Sequence, residues 1–140
     1  MSGEPIRILL IEDDRQIRSL LRELLEEKYE VIEAASGQGG IQQYTKTPTD
    51  MVILDILLPD MDGLETMKQL LSHDPKVKII AISGGFPVGD IDVLKMAQRL
   101  GAQRTLAKPF NSHTLLTTVQ EILQQQKLTN KDPDPPGNSQ

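Results

Sequence analysis

Ile6-Arg7-Ile8-Leu9-Leu10-Ile11-Glu12-Asp13-Asp14 is an apolar run closed by acids, and Met51-Val52-Ile53-Leu54-Asp55 repeats the form with one aspartate. Runs of four or more apolar residues bounded by polar signals read as strands of a parallel sheet, buried on both faces. A carboxylate at the tip of such a strand lies where open α/β sheets place their sites. If the two strands are neighbours, Glu12, Asp13 and Asp55 converge. Like charges that close repel unless a cation lies between them. The pattern therefore predicts a sheet edge that holds a hard divalent metal beside Asp55.

Outward from these runs the chain alternates strand and helix five times. The first strand, residues 6–11, precedes a helix with Ile17, Leu20, Leu21, Leu24 and Leu25 at helical spacing. A short second strand spans 31–35, and Ser36 is placed to cap a helix carrying Ile41 and Tyr44. The third strand, 51–54, leads through the turn Pro59-Asp60-Met61-Asp62-Gly63 to a helix with Leu64, Met67, Leu70 and Leu71 on one face, ended at Pro75. The fourth strand is 77–82. A glycine-rich loop over 84–89 precedes a helix over 91–100, with Gly101 just past its end. The fifth strand is 104–107, and Leu115, Leu116, Val119, Ile122 and Leu123 mark a last amphipathic helix. Strands alternating with helices of about a dozen residues argue for right-handed βαβ units in a doubly wound α/β sheet. Residues 127–140 hold three prolines and little that is apolar, and read as a disordered tail or truncated linker after a domain at 1–126.

The composition narrows the class. At 140 residues the default is one domain, and with two Phe, two Tyr and no Trp its core must be aliphatic. The absence of cysteine excludes disulfides, thiolate metal sites and thiol catalysis, and fits a reducing, cytoplasmic setting. No stretch approaches the ~20 apolar residues of a membrane span, and residues 1–5 lack the pattern of a secretory signal. A net charge of −5 without a basic cluster disfavours direct nucleic-acid binding. His73 and His113 lack partners at metal-ligand spacing and read as solvated. Met51, Met61, Met67 and Met96 read as core or near-core filler. Asp14 reads as a helix cap, and Asp60 and Asp62 as turn formers. Ser36-Gly37-Gln38-Gly39-Gly40 fails as a dinucleotide fingerprint because Gln42 stands where a glycine is required.

Further features extend the acidic edge. Ser83 follows the apolar run 79–82, Lys108-Pro109-Phe110 follows the fifth strand, and Asp62-Gly63 sits in the turn after Asp55. Together, Glu12-Asp13, Asp55, Ser83 and Lys108-Pro109-Phe110 resemble the receiver domain of two-component response regulators over roughly residues 6–126. The resemblance implies a flavodoxin-like strand order 2-1-3-4-5, a general property of such folds. It implies that Asp55 takes a phosphoryl group from a histidine kinase or a histidine phosphotransfer protein. Mg²⁺, or Mn²⁺, would be bound by Glu12, Asp13, Asp55 and the Leu57 carbonyl. Lys108 and Ser83 would contact phosphoryl oxygens, the Ser83 bond drawing the following loop inward. The Lys108–Pro109 type of bond is often cis in this family. The output would be protein–protein contact, or onward phosphoryl transfer, rather than enzymatic turnover. Docking would use the fourth helix, fifth strand and fifth helix, with Lys95, Arg99 and Gln103 facing solvent.

This chain departs from that pattern in places. Thr105 stands where receivers carry an aromatic switch. Glu12 replaces the more usual aspartate. Leu57 and Gly85, which flank the path of an attacking water, carry no polar group to orient it, so self-dephosphorylation is expected to be slow. Two rival readings are a phosphorylation-independent interaction module and a receiver cut from a longer regulator with an output domain. A haloacid dehalogenase would need an aspartate where Leu57 stands.

Overall fold

The structure, a computed structural model, describes residues 5–56, 62–84 and 92–131, with side chains through residue 125. Its strands are β1 (Arg7–Ile11), β2 (Glu30–Ala34), β3 (Met51–Asp55), β4 (Ile79–Ser83) and β5 (Arg104–Ala107). They form one parallel sheet in the order β2-β1-β3-β4-β5. The helices are α1 (Arg15–Leu25), α2 (Gly37–Lys46), α3 (Gly63–His73), α4 (Val93–Leu100) and α5 (Ser112–Lys131). The fold class is the one the strand–helix alternation predicts, and the strand order is the one the receiver resemblance implies.

The central strands carry the core. Ile8 to Ile11, Met51 to Leu54 and Ile79 to Ala81 are wholly buried. Side chains alternate between sheet faces, so runs apolar at every position require cover on both. On one face Leu9, Ile11, Val52, Leu54, Ile79 and Ala81 pack with Tyr44, Met67, Leu70 and Ala97 of α2, α3 and α4. On α1, Leu21 and Leu25 are buried where the helix lies along β1 and β2. Each such side chain contributes about 1.5–3 kcal/mol of transfer free energy, enough to override the weak helix preference of Gly37-Gln38-Gly39-Gly40 in α2.

Short polar residues start the helices as their types dictate. Asp14 Oδ1 accepts from the Gln16 and Ile17 amides at 2.9 and 3.1 Å, Ser36 Oγ from Gly39 at 3.0 Å and Asp62 Oδ1 from Leu64 at 2.8 Å. The α4 helix ends at Gly101, whose φ of 131° a β-carbon would disfavour.

Among the described residues, those from Asn111 onward form a compact unit of their own and those up to Phe110 the other. In the former, α5 buries Leu115, Thr118, Val119 and Ile122 along one face. It continues through 127–131, which the sequence reading assigns to the tail. Lys127-Leu128-Thr129-Asn130 contains no helix breaker, and the first proline of the tail is Pro133. Met96 departs from its expected core position and is 40% exposed on α4, where Ala97 is the buried residue. The Met61 and Asp60 expectations fall outside the described residues.

One polar link sits among the apolar contacts. The Tyr44 hydroxyl donates to Asp74 Oδ2 at 2.7 Å, joining α2 to the end of α3. Burial, then the hydrogen bond to Asp74, raises the Tyr44 pKa above its ordinary 10.0. The same bond lowers Asp74 below its ordinary 3.8. The depressed acid contributes stability above pH ~4 that is lost as pH falls through its folded pKa. The raised phenol contributes stability below pH ~10 that is lost as pH rises above it. Tyr44→Phe should cost about 1 kcal/mol near neutral pH. It should also flatten the stability profile at both ends. Urea midpoints across pH check this, and an unchanged profile shape would count against the link.

Candidate functional site

The register brings the acidic tips together. Ile11 pairs with Leu54, so Glu12 and Asp55 leave adjacent strands at one level, and Ser83 leaves β4 opposite Ala107 of β5. Glu12 and Asp55 are buried, at 2% and 6% exposure, whereas Asp13 is exposed. Carboxylate oxygens of Glu12, Asp13 and Asp55 all lie within 4.8 Å of one another. The β4–β5 ladder continues one residue past β5, the Lys108 amide donating to the Ser83 carbonyl at 2.7 Å. That bond aims the lysine back along the edge. Its Nζ lies 3.2 Å from Asp55 Oδ2 and 3.4 Å from Glu12 Oε1. The Lys108–Pro109 peptide is cis.

The charges respond to this crowding. Burial first, then the Asp55 charge, pushes the Glu12 carboxyl up to about 7, against the opposing pull of the Asp14 amide and Lys108. Burial alone would lower Lys108, but the Asp55 and Glu12 charges outweigh it and raise its pKa. Ser83 Oγ is fully buried, without a hydrogen-bond partner among the described residues. A buried hydroxyl left unpaired costs about 1–3 kcal/mol, which a phosphoryl oxygen could recover.

Three carboxylates within reach of one another are hard oxygen donors, and they fit Mg²⁺ or Mn²⁺ rather than a softer metal. Lys108 offsets part of their repulsion. Lys108→Met should therefore destabilise the metal-free protein by about 1–2 kcal/mol, below the cost of breaking a fully buried pair because Glu12 can take up a proton. It should also tighten divalent binding, since a competing positive charge is gone. Melting curves with and without Mg²⁺ check both, and a smaller metal-induced shift than in wild type would contradict the second.

Of the residues singled out in the sequence, Glu12, Asp13, Asp55 and Lys108 meet in one cluster, and Ser83 lies at the next strand tip. Thr105 is half-buried on β5, paired with Ala81 two residues before Ser83. Leu57 and Gly85 lie outside the described residues. Arg18 was not singled out, yet its Nη1 donates to the Glu12 carbonyl at 2.8 Å. Nothing in a linear pattern flags an arginine whose partners are the residue after β1 and a glutamate on β2.

A parallel 2-1-3-4-5 sheet whose carboxyl edge gathers three acids, a lysine and a buried serine defines a flavodoxin-like domain built around one carboxylate. The family model described as the response regulator receiver domain matches residues 8–120, and the chain belongs to that family. Among relatives, the chemotaxis protein CheY of Halobacterium salinarum is 30% identical over 118 residues, covering 84% of this chain and 96% of that protein. Sporulation initiation phosphotransferase F of Bacillus subtilis is 32% identical over 118 residues, covering 84% and 93%. The solved CheY-like receiver domain protein of Methanospirillum hungatei superposes with a TM-score of 0.81 at 30% identity, covering 89% of this chain and 98% of that one. The protein is thus a phospho-accepting receiver of two-component signalling. Receiver domains are signalling modules that bind Mg²⁺ at an acidic pocket and interact with histidine kinases and downstream partners. No described helix is long and apolar enough to cross a membrane.

Proposed function

We propose that Asp55 is the phosphoacceptor of this receiver. The observation that carries the reading is a buried carboxylate at the tip of β3 with Lys108 Nζ 3.2 Å away and two further acids within metal-sharing distance. An Asp55 oxygen attacks the phosphorus of a kinase phosphohistidine. The new P–O bond forms as the P–N bond breaks, and the electron pair leaves with the imidazole nitrogen, which takes a proton from solvent. Lys108 exchanges part of its contact with Asp55 for a transferred phosphoryl oxygen. Ser83 donates its unpaired hydroxyl to another. Glu12, Asp13 and Asp55 would hold Mg²⁺ or Mn²⁺. When bound, the metal supplies neutralisation of the phosphoryl charge, the main chemical demand of the transfer.

The Ser83 bond forms only with the acyl phosphate present, so it biases the β4–α4 segment and links the chemistry to a surface. On α4 and after it, Lys95, Met96, Arg99 and Gln103 are exposed and offer a downstream partner a mixed basic and apolar patch. With Thr105 in place of an aromatic residue, this route depends on the Ser83 side of the site. The setting is cytoplasmic, the receiver takes in α5 through Lys131, and no nucleic acid or membrane takes part.

The test is intact-mass spectrometry with acetyl phosphate or a phosphorylated histidine kinase. Gain of one phosphoryl group with Mg²⁺, abolished by chelation, is the expected result. No gain from either donor would overturn the proposal.

A further inference from the structure

Behind the acidic cluster, the backbone of Glu12 is held on both sides, its preceding peptide by β2 and the Glu12–Asp13 peptide by Arg18. The Glu12 amide donates to the Ala34 carbonyl of β2 at 3.0 Å. The Glu12 carbonyl accepts from Arg18 Nη1 at 2.8 Å. Arg18 is anchored in turn, its Nε donating to Glu33 Oε1 at 2.9 Å, beside Ala34. Its side chain is 18% exposed, well shielded for an arginine. Glu33 also accepts from Arg22 one helical turn further on. The Glu12 carboxylate has tethers of its own, at the Asp14 amide and Lys108. Asp13 has none: among the described residues its carboxylate makes no hydrogen bond, so the preceding peptide is what fixes the point from which its short side chain reaches the cluster.

We infer that Arg18, braced by Glu33, is a positioning residue for the metal site: its guanidinium fork fixes the Glu12–Asp13 peptide and so holds the Asp13 carboxylate in place beside Glu12 and Asp55. The fork is what the role requires. Two donors on one rigid plane span a carbonyl just past β1 and a carboxylate on β2 at once, whereas a lysine ammonium is a compact charge with no fixed fork to span both. Outer residues that orient ligands typically change metal affinity by about 10–100-fold when removed. The inference rests on the reading that Glu12 and Asp13 are metal ligands.

The test is calorimetric titration of the full chain with Mn²⁺ and with Mg²⁺, alongside thermal melts without metal. Arg18→Ala should weaken divalent binding at least about tenfold. Arg18→Lys should recover part of it, and Glu33→Gln, which loosens the brace but keeps the fork, should fall between. Arg22→Ala is the control. It shares Glu33 but does not touch Glu12, and should bind metal as wild type does even where its melting point falls. Equal losses of affinity in Arg18→Ala and Arg22→Ala would reduce the effect to anchoring of α1 and overturn the inference. Wild-type affinity in Arg18→Ala would do the same. If Arg18→Ala fails to fold, Glu33→Gln against Arg22→Ala decides. Failure of the wild-type protein itself to bind either ion would instead remove the underlying ligand reading.

Discussion

Asp55→Asn is expected to gain no phosphoryl mass from any donor, while folding at least as stably as wild type without metal. The two halves follow from different features of the site. An amide has almost the shape of a carboxylate, but its oxygen lacks the charge to attack phosphorus, so the step is lost rather than slowed. The same change removes a negative charge from beside Glu12. That charge is the second cause, after burial, of the rise of the Glu12 carboxyl to about 7. With it gone, Glu12 ionises more easily and Lys108 keeps one carboxylate partner, Glu12 Oε1 at 3.4 Å. Metal binding should weaken, because one of three close carboxylates is lost. Mass spectrometry and melting curves on the same sample separate the outcomes. Phosphoryl uptake at wild-type rates would move the acceptor to another residue, and a collapse of stability would mean that Asp55 supports the fold rather than burdens it.

How far the site was legible follows from where its partners lie in the chain. Glu12, Asp13, Asp55, Ser83 and Lys108 each end or follow a strand, and strand ends show in a sequence as a polar residue after an apolar run. Once the strands are neighbours, their meeting is a consequence of topology. The caps at Asp14 and Ser36 are local, within three residues of the amides they bind, and were equally readable, whereas Asp62, read as a turn former, caps α3. Tertiary pairings were not. The fork of Arg18 reaches a backbone carbonyl and a glutamate 15 residues away. The Tyr44–Asp74 bond joins residues 30 positions apart. Each looks like an ordinary surface residue until its helix is docked. The exposure of Met96 was hidden for a related reason: on a helix of eight residues, which side is covered depends on the sheet beneath it. The continuation of α5 through residue 131 obeys the first proline rather than composition, since the largely polar residues 127–130 contain no helix breaker.

Gly63→Ala should lower stability by about 3 kcal/mol and slow phosphoryl uptake, although helix propensity predicts the opposite sign. Gly63 is the first residue of α3, and inside a helix Ala is favoured over Gly by about 1 kcal/mol. Against that gain stands a steric conflict. A β-carbon at residue 63 would fall well under 3.0 Å from the α-carbon, carbonyl carbon and carbonyl oxygen of Ile56. Those are backbone atoms, which cannot swing aside as a side chain can. Nor can Ile56 retreat. Its amide donates to the Ile82 carbonyl at 2.8 Å, its own carbonyl accepts from the Gly63 amide at 2.8 Å, and its side chain is 1% exposed. The start of α3 must therefore lift, losing the Gly63–Ile56 bond and loosening the contacts of Met67 and Leu70 in the core. Overpacking of this kind costs typically 1–3 kcal/mol, and more when backbone must move, so sterics win over propensity. The cost has a functional side because Ile56 directly follows Asp55, and a shift there misplaces the acceptor relative to Lys108. Urea unfolding and uptake from acetyl phosphate test both parts. A variant as stable as wild type would mean that the β3–α3 junction can open without cost. A destabilised variant with normal uptake would show that Asp55 is held by β1 and β4 alone.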